Sequence, residues 1–204
     1  MREKEEVTRL IFWRHGITYY PEDRIYKEEE DPLLSKEGQS QAKRLMEKYK
    51  DSSIEAVYTS TASRTRSTAE PFCNMKGIIP DISEKLKERN FGIWEGLSFI
   101  DIESNYPEGY RSWKEDPIDY KPEDGESIRE LDLRVNNYID ELINCHTGKT
   151  VLIVSHVGPI RMAIVRALGM PLINYRRLNI PYGSVVRIDY GKKQSNLIYS
   201  GYIP

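Results

Sequence analysis

Short apolar runs alternate with amphipathic helical stretches along most of this 204-residue sequence, and that alternation constrains its fold more than any other feature. Residues 8–13, 55–59 and 151–154 are too short for helices and rich in β-branched or aromatic side chains, which predicts buried strands. Ser35 is a good N-cap for a helix that carries Ala42, Leu45, Met46 and Tyr49 on one face to about Lys50. Ser127-Ile128-Arg129-Glu130 is a capping box and opens a second helix to about Asn144. Residues 60–75 also read as helix, with Pro71 expected to kink or shorten it. Pro159 is expected to open a further helix that Gly169 closes. The stretch after residue 75 reads as loop-rich to about Asp124, and residues 184–189 and 196–199 as final strands, the last at an edge.

Strands alternating with helices predict an α/β fold, a three-layer α/β/α sandwich whose mostly parallel central sheet has helices on both faces. One domain is expected across residues 1–204, with a substrate-covering insertion at about 98–124.

Charge narrows the partners. Lys+Arg 30 against Asp+Glu 32 leaves a net charge of −2, so no overall basic field favours nucleic acid or an anionic membrane. The apolar run at residues 10–13 is too short for a signal-peptide core or a membrane span, and a cytoplasmic location is expected. Cys73 and Cys145 lack metal or disulfide spacing and are expected to be reduced thiols. Oligomeric state is not legible; a homo-oligomer is compatible with the sequence.

The residues that could carry chemistry sit where strands end. His15 closes the first strand and His156 follows the run 151–155, and doubly wound sheets bind ligands at the carboxyl ends of their strands. Singly, each histidine is explained as a hydrogen-bonded core residue; jointly, with Gly16 and Gly158 beside them, they favour a site open to close ligand approach. Arg14 and Arg64 stand at the turns after the first two strands. Two guanidinium forks and two imidazoles around one pocket suit a dianionic phosphate. Glu88, with Phe91 and Trp94 nearby, is a candidate proton donor, and Glu95 competes with it.

Taken in order, Arg14-His15-Gly16, Asp31-Pro32-Leu33 with Gly38-Gln39, Ser60-x-x-x-Arg64, Glu88-Arg89-x-Phe91-Gly92-x-Trp94-Glu95-Gly96 and Ser155-His156-x-x-x-Ile160-Arg161 resemble the histidine phosphatase superfamily, in its phosphoglycerate-mutase-like branch and its shorter phosphatase type. The resemblance spans nearly the whole chain. It implies His15 as a nucleophile that becomes a phosphohistidine. Arg14, Arg64, His156 and the backbone N–H of Val157 would hold phosphoryl oxygens, Arg89 would contact substrate, and Glu88 would serve as acid and then base. No metal is implied.

The departures from the family pattern also carry information. Ile17 follows the first glycine and Pro21 stands where the family often has a phosphate-contacting asparagine, so Thr18 is the candidate replacement. Mutases carry basic residues at places that here read Phe99 and, after Trp113, Lys114-Glu115. Loss of those groups favours a metal-independent phosphatase acting on small phosphorylated metabolites with no cofactor. The alternative is a mutase dependent on 2,3-bisphosphoglycerate, which Arg89 keeps open, and a second alternative is a non-catalytic phospho-ligand binding module. Tyr106, Tyr110, Arg111, Trp113, Lys114 and Tyr120 are expected either to cover the pocket mouth or to form a small core of their own. Gly148-Lys149-Thr150 fails as a P-loop because Ile143 occupies the glycine position and a strand follows rather than precedes it. A zinc site would need a third ligand, and His146 at a helix end is more simply a favourable charge at the helix dipole.

Overall fold

The computed structural model describes residues 6–204. Its strands are β1 (Thr8–Arg14), β2 (Ile54–Thr59), β3 (Asp81–Ile82), β4 (Thr150–Ser155), β5 (Val185–Tyr190) and β6 (Ser195–Tyr202). They form a single sheet in the order β3-β2-β4-β1-β5-β6. The pairings from β3 to β1 are parallel, and those from β1 through β5 to β6 antiparallel. The helices are α1 (Lys36–Tyr49), α2 (Ser63–Lys76), α3 (Phe99–Asn105), α4 (Pro107–Glu115), α5 (Ile128–Cys145) and α6 (Val157–Ala167).

The period-two alternation of a strand divides the core. Leu10 and Phe12 of β1 face α5 and α6 through Leu131, Ile139, Ile160 and Ile164. Ile11 and Trp13 face α1 and α2 through Leu45, Tyr49, Ala69 and Phe72. Both central strands are therefore apolar along their length, as a sheet covered on both faces requires, and each such buried side chain contributes about 1.5–3 kcal/mol. Among the described residues, no helix is long and apolar enough to cross a membrane.

Three local expectations change. Helix α2 begins at Ser63, because the Ser60 hydroxyl is engaged in the turn, and it continues through Pro71 to Lys76. Proline there removes the bond to the Ser67 carbonyl. Burial of Ala69, Phe72 and Cys73 against the sheet offsets the cost of about 3 kcal/mol. Helix α6 begins at Val157 rather than Pro159. Proline is tolerated at this third position because the first four helical N–H groups have no intrahelical acceptor in any case. The stretch expected to be loop holds β3, α3 and α4, and α3 carries its own capping box between Ser98 and Asp101.

Register does the positioning. β1 pairs with β4 so that Arg14 lies opposite Ser155, and β2 pairs with β4 so that Thr59 lies opposite Val154. The next residue of each strand is His15, His156 or Ser60, so these three meet at the carboxyl ends of the parallel strands.

Candidate active site

His15 is buried, and its N–H bonds the Ser155 carbonyl at 3.0 Å. Its Nδ1 lies 2.9 Å from the Gly16 carbonyl, which can only accept, so Nδ1 carries the proton and Nε2 carries the lone pair. Gly16 is fixed in turn by its N–H, which donates to Thr68 of α2 at 3.0 Å. Burial, then the charges of Arg64 and Arg14, hold the His15 imidazole well below its ordinary value, so it is neutral at neutral pH.

His156 sits 5.2 Å from His15, ring centre to ring centre. Arg64 can only donate, and its Nη2 lies 3.3 Å from His156 Nδ1, so the proton of His156 is on Nε2. That Nε2–H donates to Ser60 Oγ at 2.7 Å, and Ser60 is tied to Thr65 Oγ1 at 2.9 Å. Burial and Arg64 also depress this imidazole. The two rings thus differ in tautomer: one presents a lone pair, and the other is held by a hydroxyl chain from the α2 turn.

Each arginine rests on a tyrosine. The Arg14 guanidinium carbon is 3.6 Å from the Tyr182 ring centre, and that of Arg64 is 4.3 Å from the ring centre of Tyr26. Both tyrosines also meet the His15 ring, at 5.4 and 5.8 Å. Stacking a guanidinium on an aromatic face leaves its in-plane donors available. Arg14 Nη1 donates to the Ile180 carbonyl at 2.6 Å, while the buried Nε atoms of Arg14 and Arg64 have no acceptor among the described residues. Asp31 approaches Arg64 only at 3.7 Å, since its carboxylate is spent on the N–H and hydroxyl of Ser63 at the start of α2.

Glu88 is half-buried at the N-terminus of α6. Its carboxylate accepts from the N–H groups of Arg89 at 2.9 Å and Gly158 at 3.1 Å. A Cβ at position 158 would lie 2.1 Å from Glu88 Oε1. Gly158→Ala is therefore expected to displace the Glu88 carboxylate while sparing the fold, because the far end of a side chain can swing away. Turnover should fall about 10- to 100-fold, with the thermal midpoint within a few degrees of wild type. Steady-state kinetics beside a thermal melt checks both.

A cavity of about 730 Å³ lies over these groups, with Arg14, His15, Arg64, Glu88 and His156 in its wall. Among the described residues, no group of three or more His, Cys, Asp and Glu could hold a metal ion.

The histidine phosphatase superfamily (branch 1) matches residues 10–200. The chain belongs to that superfamily. Phosphoserine phosphatase 1 of Hydrogenobacter thermophilus is 29% identical over 169 residues, 83% of this chain and 80% of that one. The crystal structure of the alpha-ribazole phosphatase from Shigella flexneri superposes with a TM-score of 0.86 at 29% identity, covering 95% of this chain and 96% of the other. An Escherichia coli protein named "probable phosphoglycerate mutase GpmB" is 28% identical over 190 residues, 93% of this chain and 87% of its own.

Within this histidine phosphatase, some sequence expectations land elsewhere. Thr18 is not in the cavity wall: its hydroxyl lies 2.8 Å from that of Tyr26 and accepts from the Tyr20 N–H. A Cβ on either glycine beside the histidines would meet protein, the Gly38 backbone at Gly16 and the Glu88 carboxylate at Gly158, while Gly158 itself lines the cavity. Val157 lines the cavity, and so does Arg89, whose Nε donates to the Glu126 carbonyl at 2.7 Å. Glu95 also lines it, but its carboxylate accepts from the Glu28 N–H at 2.9 Å. Trp113 forms a small core with Trp94 and Ile102, against which Tyr106, Tyr110 and Tyr120 pack. From residues 98–124, Phe99 reaches the cavity wall.

Tyr26 and Tyr182 were not anticipated, because neither lies in a periodic element. A tyrosine without an apolar stripe around it was the available signal. Ser60 was visible as the first residue of Ser60-x-x-x-Arg64, but its bond to His156 needs the β2–β4 register.

Proposed function

We propose that this chain hydrolyses phosphomonoesters of small metabolites in the cytoplasm, without a metal, through a phosphohistidine on His15. The observation that carries this reading is the His15 Nε2 lone pair beside two arginines, Arg14 and Arg64, whose buried Nε donors lack acceptors among the described residues, since buried donors of this kind are normally satisfied. Phosphoryl oxygens are acceptors of the right charge. Relatives named phosphoserine phosphatase and alpha-ribazole phosphatase support the same class of substrate.

In this reading His15 Nε2 attacks phosphorus in line with the ester oxygen, forming the N–P bond as the P–O bond breaks. Arg14 and Arg64 hold the equatorial oxygens, where preorganised donors cost no reorganisation as charge shifts. His156, whose Nε2–H is spent on Ser60, joins them as the imidazolium, through a proton taken up on Nδ1 when the phosphoryl dianion replaces it as the acceptor of Arg64. Glu88 gives a proton to the departing oxygen. It then takes one from a water that attacks the phosphohistidine, which releases inorganic phosphate and restores His15. Residues 98–124 act as a substrate-covering insertion within one domain, chiefly through Phe99.

Mutase activity is the second reading, favoured by Arg89 in the cavity wall and by the GpmB relative; it would use 2,3-bisphosphoglycerate as cofactor. Purified protein in EDTA is expected to release phosphate from an aryl phosphate and to form no 2-phosphoglycerate from 3-phosphoglycerate with 2,3-bisphosphoglycerate. Rapid isomerisation would make it a mutase, and silence in both assays would make it a phospho-ligand binding module.

A further inference from the structure

The cavity has a second cationic region that phosphoryl chemistry leaves unused. Arg161 of α6 and Arg176 of the 3-10 helix Leu172–Arg177 both line it. Each spends its Nε on a neutral oxygen: Arg161 donates to the Leu178 carbonyl at 3.0 Å, and Arg176 to the Tyr175 hydroxyl at 2.9 Å. Neither guanidinium has a carboxylate within the 4.0 Å of an ion pair among the described residues.

Their placement looks prepared rather than incidental. The Arg176 guanidinium carbon lies 4.5 Å from the Trp113 ring centre and 5.6 Å from that of Tyr175, so the aromatic faces fix it while its terminal amines stay open. Burial lowers Arg161 from its ordinary value; the Glu88 carboxylate and Tyr175 act against this, and the like charges of Arg14 and Arg176 add to the lowering. Arg89 feels Arg176 in the same way. Like charges gathered in one partly buried place repel, and a bound anion relieves that repulsion.

Four of the wall's five acidic residues are engaged away from the two arginines, Asp31 with Ser63 and Glu95 with the Glu28 N–H among them, and the fifth, Glu88, is the one whose charge reaches Arg161. Glu28 and Glu84 pair with Lys87, and Glu88 is held by two backbone N–H groups. A cavity of about 730 Å³ also exceeds the needs of one phosphoryl group and falls in the range that encloses whole small ligands. The basic residues that mutases carry near Trp113 read Phe99 and Lys114-Glu115 here, yet Arg176 reaches the same tryptophan from 63 positions later in the chain.

We infer that Arg161 and Arg176 form a second oxyanion subsite, and that the preferred phosphomonoester carries a carboxylate or a second phosphate on its leaving group. This rests on the phosphatase reading and adds the class of leaving group. Charge-assisted contacts of this kind discriminate by about 10- to 100-fold between an anionic ester and its neutral analogue.

The test compares phosphate release in two matched pairs: 3-phosphoglycerate against glycerol 3-phosphate, and fructose 1,6-bisphosphate against fructose 6-phosphate. Wild type is expected to prefer the anionic member of one pair by at least about 10-fold in kcat/KM, and the pair that responds identifies carboxylate or phosphate. Arg176→Gln should collapse that ratio, Arg176→Lys should restore part of it, and raising the salt concentration should weaken it. Because the readout is a ratio within each protein, a variant that merely folds poorly lowers both members alike. Equal kcat/KM within both pairs, or a ratio that survives Arg176→Gln, overturns the subsite. If wild type releases phosphate from an aryl phosphate but shows no preference, the subsite fails alone; if it hydrolyses nothing, the phosphatase reading fails with it.

Discussion

Replacing His15 by alanine is expected to lower kcat/KM for every phosphomonoester by at least about 10⁴-fold. The reason is specific to the lone pair. The structure fixes the proton of His15 on Nδ1 through the Gly16 carbonyl, and burial keeps the ring neutral, so Nε2 is a ready nucleophile with no proton to lose first. Alanine removes the atom that would accept the phosphoryl group, while the arginines and His156 stay to bind the ester. The variant should therefore retain phosphate binding, measurable by isothermal titration with inorganic phosphate, even as turnover disappears. His15→Asn, closer in size, guards against a folding defect, and near-normal activity in either variant would contradict covalent catalysis.

The second large effect is expected for Glu88→Gln, and it should depend on the leaving group. General acid catalysis is worth about 10²–10⁴-fold where the leaving oxygen is a poor one. For alkyl esters kcat/KM, which reports the steps through P–O cleavage, should fall by that amount. For an aryl phosphate, whose leaving oxygen needs little protonation, kcat/KM should fall by less than about 10-fold. Its kcat should still drop, because the same carboxylate activates the water that attacks the phosphohistidine, and a burst of aryl alcohol should appear before the slow steady state. Glutamine keeps the size and one acceptor for the Gly158 and Arg89 N–H groups, so the seat on α6 survives. A uniform loss of kcat/KM across all esters would remove Glu88 from the acid role.

Much of this site was legible in the sequence because strand ends are legible. The unbroken apolar runs before His15 and His156 marked two central strands, and parallel neighbours bring such ends together. Capping residues marked α1 and α5, as Ser35 and Ser127 do in the structure. The capping box of Ser98 and Asp101 gave α3 the same mark, but the helix is only 7 residues long and has no clear stripe, so it passed for loop. Pro71 does not shorten α2, because burial of the residues around it outweighs local propensity. Tyr26, Tyr182 and Arg176 were hidden for another reason. Each reaches the cavity from a loop or a 3-10 turn, where no periodicity says which way a side chain faces. Motif spacing thus brought together the residues of the candidate site, but the pocket around them depends on tertiary placement.

The most direct measurement is the search for the covalent intermediate itself. Wild type and His15→Ala, mixed rapidly with a 32P-labelled phosphomonoester and quenched in alkali, would be digested and sequenced by mass spectrometry. Phosphate on the imidazole of His15 in wild type, stable to base, lost in acid and missing from the variant, is the expected result. An unlabelled wild-type protein that turns over normally under the same conditions, or a label carried by any residue other than His15, would contradict the mechanism.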